Sequence, residues 1–210
     1  MDSPSGFVVS PVSSSIDSDT KSIAPASPTQ PCPGCSVTTA ACMAYLQGGR
    51  AFPQGLEQQV DQQLAALEAD AGKQLGDPAD PLLVSVRSGA RDSMPGMMDT
   101  VLNLGLNDKT VLALAKNSDN KRFAFDSYRR FIQMYSDVVL GVDHYNFETI
   151  LDDKKQEFGA LSDTDLNAEQ LQEIVELFKV EVKNELGRDF PQDVHQQLWG
   201  AIEAVFASWM

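Results

Sequence analysis

The spacing of apolar residues predicts a second half of the chain that is helical throughout. Apolar residues recur there every three to five positions, which is the period of an amphipathic helix. One long helix is predicted over residues 123–138. Another begins at Asn167, a favourable N-cap with Gln170 as its reciprocal capping partner, and ends at Gly187. A last helix is predicted over residues 193–209.

The first half mixes helical and strand patterns, so the predicted fold class is α+β. A short helix is predicted over residues 40–46, before Gly48. A longer amphipathic helix ends at the turn Gly76-Asp77-Pro78. Its apolar face consists of Leu56, Val60, Leu64, Leu67 and Leu75. Residues 82–86 are a short apolar run between turn residues, which is typical of a buried strand.

The N-terminal segment shows little apolar periodicity. Residues 1–30 are rich in serine, proline and threonine, and such a segment buries too little surface to offset the entropy of the chain. We therefore expect a disordered tail over residues 1–30. A mixed part over residues 31–108 and a helical part over residues 109–210 follow it.

Charge narrows the classes of partner. The chain has 16 Lys and Arg residues against 30 Asp and Glu residues, a formal net charge of −14. This negative field opposes binding to nucleic acid and to anionic membranes, so neither is expected as a partner. No apolar run is long enough to span a membrane, and the N-terminus lacks the features of a signal peptide. The first arginine is Arg50, which disfavours a transit peptide, so a cytoplasmic location is expected, with a plastid as the alternative.

The predicted strand leads into residues that suit a polyphosphate ligand. Arg87 places a guanidinium at the rim of the predicted sheet, where it can contact two phosphate oxygens. Gly89 and Gly96 let the backbone approach a ligand, and Ser93 adds a hydroxyl donor. The pattern is neither a Walker A loop nor a GxGxxG fingerprint. On composition alone, an ordinary exposed turn is the favoured alternative.

Two other patterns also have alternatives. Arg129 and Arg130 could bind a ligand, or both could be surface charges. Cys32 and Cys35 form a CxxC pair, which is compatible with a redox pair or with half of a zinc site. The sequence has no second CxxC, and both histidines lie far away along the chain. An ordinary pair of reduced cysteines is therefore favoured.

Four stretches of the sequence carry a resemblance to one enzyme family. Residues 85–108, SVRSGARDSMPGMMDTVLNLGLND, are similar to the signature of the ATP-binding domain of pyruvate, phosphate dikinases. The similarity continues through RFAFDSYRRFIQMYSDVV at residues 122–139, FPQDVHQQL at residues 190–198 and AVFASW at residues 204–209. It begins near residue 37 and covers most of the chain. The related water dikinases lack the MPGMMDT run, so the resemblance is to the phosphate-using branch.

The resemblance implies a fold and three site residues. It implies a partial ATP-grasp-like nucleotide-binding subdomain over residues 31–108 and an all-helical insert subdomain over residues 109–210. By position it implies that Arg87 and Gly96 bind ATP and that Arg130 binds phosphate. Neither histidine lies in the family's phosphohistidine motif, so the resemblance assigns no catalytic residue and no metal ligand in this chain.

The resemblance also implies an activity and partners. Members interconvert ATP, phosphate and pyruvate with AMP, pyrophosphate and phosphoenolpyruvate, and they use Mg²⁺. The metal ligands, the phosphorylated histidine and the pyruvate-binding barrel belong to parts of the family that this sequence does not match. We therefore expect the chain alone to be inactive and the remainder of the dikinase, which can form a homodimer, to be its partner. The alternative is a non-catalytic helical interaction module derived from the same domain.

Overall fold

The computed structural model describes residues 6–11, 35–88 and 100–208, and it confirms the predicted α+β class. The strands are β1 (Gly6–Pro11), β2 (Cys35–Thr38), β3 (Gln74–Leu75), β4 (Pro81–Leu82), β5 (Val84–Ser88) and β6 (Val101–Leu104). The helices are α1 (Thr39–Gln47), α2 (Leu56–Ala71), α3 (Thr110–Asn117), α4 (Lys121–Tyr135), α5 (His144–Phe158), α6 (Ala168–Leu186) and α7 (Val194–Ala207). A π-helical turn at Ser136–Leu140 follows α4, and a 3₁₀ turn at Asp163–Asp165 precedes α6.

Strand β1 lies inside the main sheet, whose strand order is β2-β1-β5-β6. Its neighbours are antiparallel to it, and Val9 is aligned with Cys35 on one side and with Val86 on the other. The expectation of a disordered tail is therefore wrong for Gly6–Pro11. Residues 7–9 are Phe-Val-Val, which have high strand propensity, and Val9 is buried in the sheet. The remainder of the predicted tail lies outside the described residues.

Helix α2 is shorter than predicted. It ends at Ala71, and Gly72 adopts a left-handed φ of 65° while its N–H donates to the carbonyl of Glu68. Leu75 therefore lies outside the helix, in the short parallel pair that β3 forms with β4. Its position continues the helical period from Leu67, which is why spacing alone placed it in the helix. The other predicted face residues are buried in α2 as expected.

The local signals of the back half predicted its helices well. The long helix is confirmed as α4, although the chain changes to the π-helical turn after Tyr135. In α6, Asn167 and Gln170 form the predicted reciprocal capping box, and Gly187 ends the helix with a φ of 66°. Helix α7 begins after Asp193, whose side chain accepts from the N–H of Gln196. Within the part of the chain that is described, no helix is both long and apolar enough to cross a membrane.

Helix α7 packs against β5 and β6, so the hydrophobic core continues past residue 108. Val84 and Val86 of β5 and Ile202 and Val205 of α7 belong to the same buried cluster. Helix α4 packs against β6 on one side and against α6 on another. The division of the chain into two parts near residue 108 stays a prediction. The shared core includes residues from both sides of that boundary.

One buried amide fixes α7 to the end of the sheet. Gln197 is fully buried, and its Oε1 accepts from the N–H of Gly105 at 3.2 Å. Its Nε2 donates to the carbonyls of Leu106 and Pro191 at 2.9 and 2.8 Å. Because three backbone groups are satisfied by one side chain, the turn after β6 is held in place by α7.

Candidate functional site

Arg87 lies near the end of an inner strand whose preceding residues are buried. Strand β5 is flanked by β1 and β6, and Val84 and Val86 are both inaccessible to solvent. Side chains alternate between the two faces of a strand, so Arg87 lies on the same face as Ser85 and opposite the two valines. Arg87 is exposed, and among the described residues its guanidinium has no hydrogen bond or ion pair. With respect to the described residues, the strand therefore presents an exposed and unpaired cation.

Gly96 lies outside the described residues, as do Gly89, Arg91 and Ser93. Its predicted contact with ATP phosphates stays a prediction. The structure does describe both flanks of this segment, since Val86 of β5 pairs with Val101 of β6 in an antiparallel register. The segment therefore connects two neighbouring strands, β5 and β6, at the end of β5 where Arg87 lies.

Arg130 lies on the solvent side of α4, with 58% of its side chain exposed. Its Nε donates to Oδ2 of Asp126, one turn earlier in the same helix, at 3.2 Å. In the described part of the chain, its two terminal Nη groups have no partner. An exposed guanidinium whose terminal nitrogens are free can form the paired hydrogen bonds that phosphate oxygens accept.

The adjacent Arg129 points inward and has a different role. Only 2% of its side chain is exposed, and it donates to Asp126 at 3.0 Å and to Asp163 at 3.1 Å. Its Nη1 also donates to Oε1 of Gln133 at 3.2 Å. The alternative that both arginines are surface charges is therefore wrong for Arg129. A buried cation of this kind must be fully paired, because the loss of hydration on burial is otherwise unfavourable.

The bonds of Arg129 continue into a network that joins three elements. The amide of Gln133 donates to Glu148 of α5 and lies 3.3 Å from Nε2 of His144. On the other side, Asp163 in the 3₁₀ turn accepts from Lys155 of α5 at 3.3 Å. The network therefore fixes α4, which carries Arg130, to α5 and to the 3₁₀ turn.

A second polar cluster fixes α4 to the turn that follows β6. The hydroxyl of Tyr128 donates to Asp108 at 3.0 Å and accepts from Nε2 of Gln192 at 3.2 Å. Asp108 also pairs with Lys179 of α6 at 2.9 Å. Burial raises the pKa of Tyr128 well above its ordinary value, so the phenol remains protonated and available as a donor.

The two arginines predicted for the site, Arg87 and Arg130, lie on separate elements that share one strand as a neighbour. Arg87 lies on β5, Arg130 lies on α4, and α4 packs against β6, the strand next to β5. Across the described residues, no hydrogen bond or ion pair links Arg87 with Arg130. Each cation is therefore carried by a separate element of one packed unit.

Sequence reasoning missed Asp126, which accepts from both Arg129 and Arg130. The signal that could have found it is its spacing, three residues before Arg129 and four before Arg130, which places all three side chains within reach on a helix. Which arginine faces inward depends on Asp163, 34 residues after Arg129, and local spacing does not report a contact of that range.

The described residues contain no group of three or more His, Cys, Asp or Glu side chains that could hold a metal ion. Mg²⁺ prefers carboxylate and water oxygens in a near-octahedral arrangement. The side chains that the structure describes therefore do not fit a protein-held magnesium site, and no step through Mg²⁺ is derived from them.

Comparisons with known proteins show which family of sequences this chain is similar to. Residues 48–210 match the family described as "Pyruvate phosphate dikinase, AMP/ATP-binding domain". Over 178 residues the chain is 55% identical to a pyruvate, phosphate dikinase of Rhizobium meliloti (strain 1021), and this match covers 85% of the chain and 20% of that protein. It is 54% identical over 177 residues to the pyruvate, phosphate dikinase of Clostridium symbiosum, covering 84% of the chain and 20% of the relative.

A plant relative gives the same result. The chain is 50% identical over 177 residues to pyruvate, phosphate dikinase 1, chloroplastic, of Arabidopsis thaliana, with 84% of the chain and 18% of that protein covered. The chain thus spans about a fifth of the length of these relatives. The family match covers well over half of the chain and includes both Arg87 and Arg130. The chain therefore belongs to the family of the pyruvate phosphate dikinase AMP/ATP-binding domain.

Proposed function

We propose that this chain binds ATP and inorganic phosphate as the nucleotide-binding part of a pyruvate, phosphate dikinase. The observation that carries the proposal is Arg87, an exposed guanidinium that has no partner among the described residues and lies at the end of a buried strand within the matched residues. In the proposed site Arg87 contacts the ATP phosphates, Gly96 lies against them, and Arg130 binds inorganic phosphate.

The cations at the proposed site have to overcome the negative electrostatic field of the whole chain. The formal net charge of −14 repels a polyphosphate, so binding depends on guanidinium groups placed within contact distance. Phosphoryl transfer requires positioning and charge neutralisation more than covalent chemistry by the protein. Arg87 on β5 and Arg130 on α4, two elements that both neighbour β6, are the described cations that support this role.

The reaction of the whole dikinase is also part of the proposal. It converts ATP, phosphate and pyruvate into AMP, pyrophosphate and phosphoenolpyruvate. The ATP-grasp-like character of the sheet region, Mg²⁺, the remainder of a dikinase as partner and a cytoplasmic location belong to the proposal too. A non-catalytic interaction module is not favoured, because the family match includes β5 and β6 of the main sheet as well as the helices from α2 to α7.

Thermal unfolding with and without ATP tests the binding proposal. A ligand that binds only the folded chain raises the free energy of unfolding by about 2.7 kcal/mol at one hundred times its Kd. For a chain of this length we therefore expect the Tm to rise by roughly 5–10 °C when ATP and Mg²⁺ are saturating. Arg87→Ala should abolish most of this rise. An unchanged Tm of the wild-type chain at millimolar ATP would overturn the proposal.

A further inference from the structure

Asp126 connects a buried arginine with an exposed one. Its Oδ1 accepts from Nη2 of Arg129 at 3.0 Å, and its Oδ2 accepts from Nε of Arg130 at 3.2 Å. Its own side chain is 18% exposed, between the 2% of Arg129 and the 58% of Arg130. The carboxylate is therefore held from the interior by one guanidinium and holds the other at the surface.

The bond to Asp126 uses the Nε of Arg130 and not the terminal Nη groups that would contact phosphate. Nε is bonded to Asp126, whereas the terminal Nη groups have no partner among the described residues. Those terminal groups can donate to two oxygens of one phosphate. A free arginine loses considerable side-chain entropy when it binds a ligand, and an Nε that is already fixed reduces this loss.

We infer that Asp126 is a positioning residue that orients Arg130 for inorganic phosphate, an inference that rests on the phosphate-binding role proposed for Arg130. Asp126 acts through Arg130 and makes no contact with phosphate itself. Arg129 keeps the carboxylate in place and offsets its negative charge, which would otherwise repel the anion.

Replacing Asp126 tests whether it positions Arg130 or only repels phosphate, because the two roles predict opposite changes in phosphate affinity. Asp126→Asn removes a negative charge, so repulsion alone predicts tighter phosphate binding. Asparagine also has an NH2 donor in place of one of the two carboxylate oxygens, so in this geometry it no longer accepts from both arginines. Positioning therefore predicts weaker binding. The variant should still fold, because Arg129 retains Asp163 and Gln133.

The experiment is a calorimetric titration of the full 210-residue chain with inorganic phosphate at fixed ionic strength. We expect Asp126→Asn to weaken phosphate binding about tenfold, the equivalent of one charge-assisted hydrogen bond, and Arg130→Gln to weaken it at least as much, because it removes the phosphate-binding group itself. Asp163→Asn is the matched control. It makes the same charge change and removes a bond to the same Arg129, but Asp163 does not contact Arg130. Its phosphate affinity should equal that of the wild-type chain.

Two further measurements separate positioning from general damage. In an Arg130→Gln background, adding Asp126→Asn should cause no additional loss of phosphate affinity, because the positioned group is gone. In nuclear magnetic resonance spectra, the Nε–H signal of Arg130 should be protected from exchange in the wild-type chain and should lose this protection in Asp126→Asn.

The possible outcomes distinguish failure of this inference from failure of the proposed function. If Arg130→Gln weakens binding but Asp126→Asn does not, positioning by Asp126 is overturned and the phosphate-binding role of Arg130 stands. Equal weakening by Asp163→Asn would show a merely structural effect and would also overturn it. If the wild-type chain binds no phosphate, or Arg130→Gln binds it normally, the phosphate part of the proposed function fails together with the inference.

Discussion

At the scale of single residues, neighbouring positions on α4 have opposite environments. Arg129 and Arg130 are about 100° apart around a helix, so one can face the core while the other faces solvent. Arg129 is buried among Asp126, Asp163 and Gln133, whereas Arg130 is largely exposed. The same residue type is therefore paired in the interior at one position and exposed at the next, where we propose that it binds phosphate.

This difference predicts unequal effects on stability. Arg129→Ala should lower the free energy of unfolding by about 3 kcal/mol, because it leaves a cavity and removes the shared cation of two carboxylates. Arg130→Ala should lower it by about 0.5 kcal/mol or less, as for other exposed ion pairs. Urea denaturation of both variants measures the difference. Similar losses in the two variants would contradict the observed burial.

The buried phenol of Tyr128 predicts how stability depends on alkaline pH. Its folded-state pKa is raised by burial, so the unfolded chain ionises first, and the stabilisation is complete below about pH 10. Above that pH the free energy of unfolding should fall by about 1.4 kcal/mol per pH unit for this residue. Tyr128→Phe should reduce the slope by that amount.

The slope is measured by urea denaturation between about pH 10 and pH 11.5, just above the ordinary tyrosine pKa. Tyr145→Phe, at an exposed tyrosine, is the matched control and should keep the wild-type slope. Equal slopes for wild type and Tyr128→Phe would contradict the account of Tyr128.

Interactions between residues that lie within about one helical turn of each other could be predicted from the sequence. The capping box of Asn167 and Gln170 and the stop at Gly187 use only neighbouring groups, and the structure confirms them. The burial of Arg129 could not be predicted, because it depends on Asp163 in a distant turn. Arg87 is exposed in the structure, and its role stays a prediction, as does the role of Gly96.

At the scale of elements, strand β1 shows where periodicity is insufficient. Its six residues are too few to dominate a segment rich in serine and proline, and its pairing with β5 joins positions about 75 residues apart, such as Ser10 and Ser85. Strand pairing over such separations is decided by the sheet as a whole. The helices, whose hydrogen bonds are local, were therefore predicted more accurately than the strands.

The attachment of α7 to the sheet predicts a sharp contrast between two adjacent glutamines. Gln197→Leu should lower the free energy of unfolding by about 3 kcal/mol, because it leaves buried backbone groups at Gly105, Leu106 and Pro191 without their partner. Gln196→Leu, at an exposed position of the same helix, should change it by about 0.5 kcal/mol or less. Chemical denaturation of the two variants provides the comparison, and equal stabilities would contradict the role of Gln197.

At the scale of the whole molecule, an acidic chain carries a few well-placed cations on a packed α+β unit. The core that joins β5 to α7 and α4 to β6 includes the two elements that carry Arg87 and Arg130, and both of these elements neighbour β6. The family match includes both residues, which supports the proposal of a nucleotide-phosphate site on a chain whose net charge opposes one. The central claim is therefore that Arg87 binds the phosphates of ATP.

Isothermal titration calorimetry with ATP and Mg²⁺ tests this claim most directly. The wild-type chain should bind ATP with a Kd in the micromolar range, and Arg87→Ala should weaken binding at least about a hundredfold, as expected for a bidentate charge-assisted contact. Arg188→Ala is the control, since it removes the same charge from another exposed arginine and should leave the Kd near that of wild type. Equal affinities of the wild-type chain and Arg87→Ala, or no binding by the wild-type chain at millimolar ATP, would contradict the account.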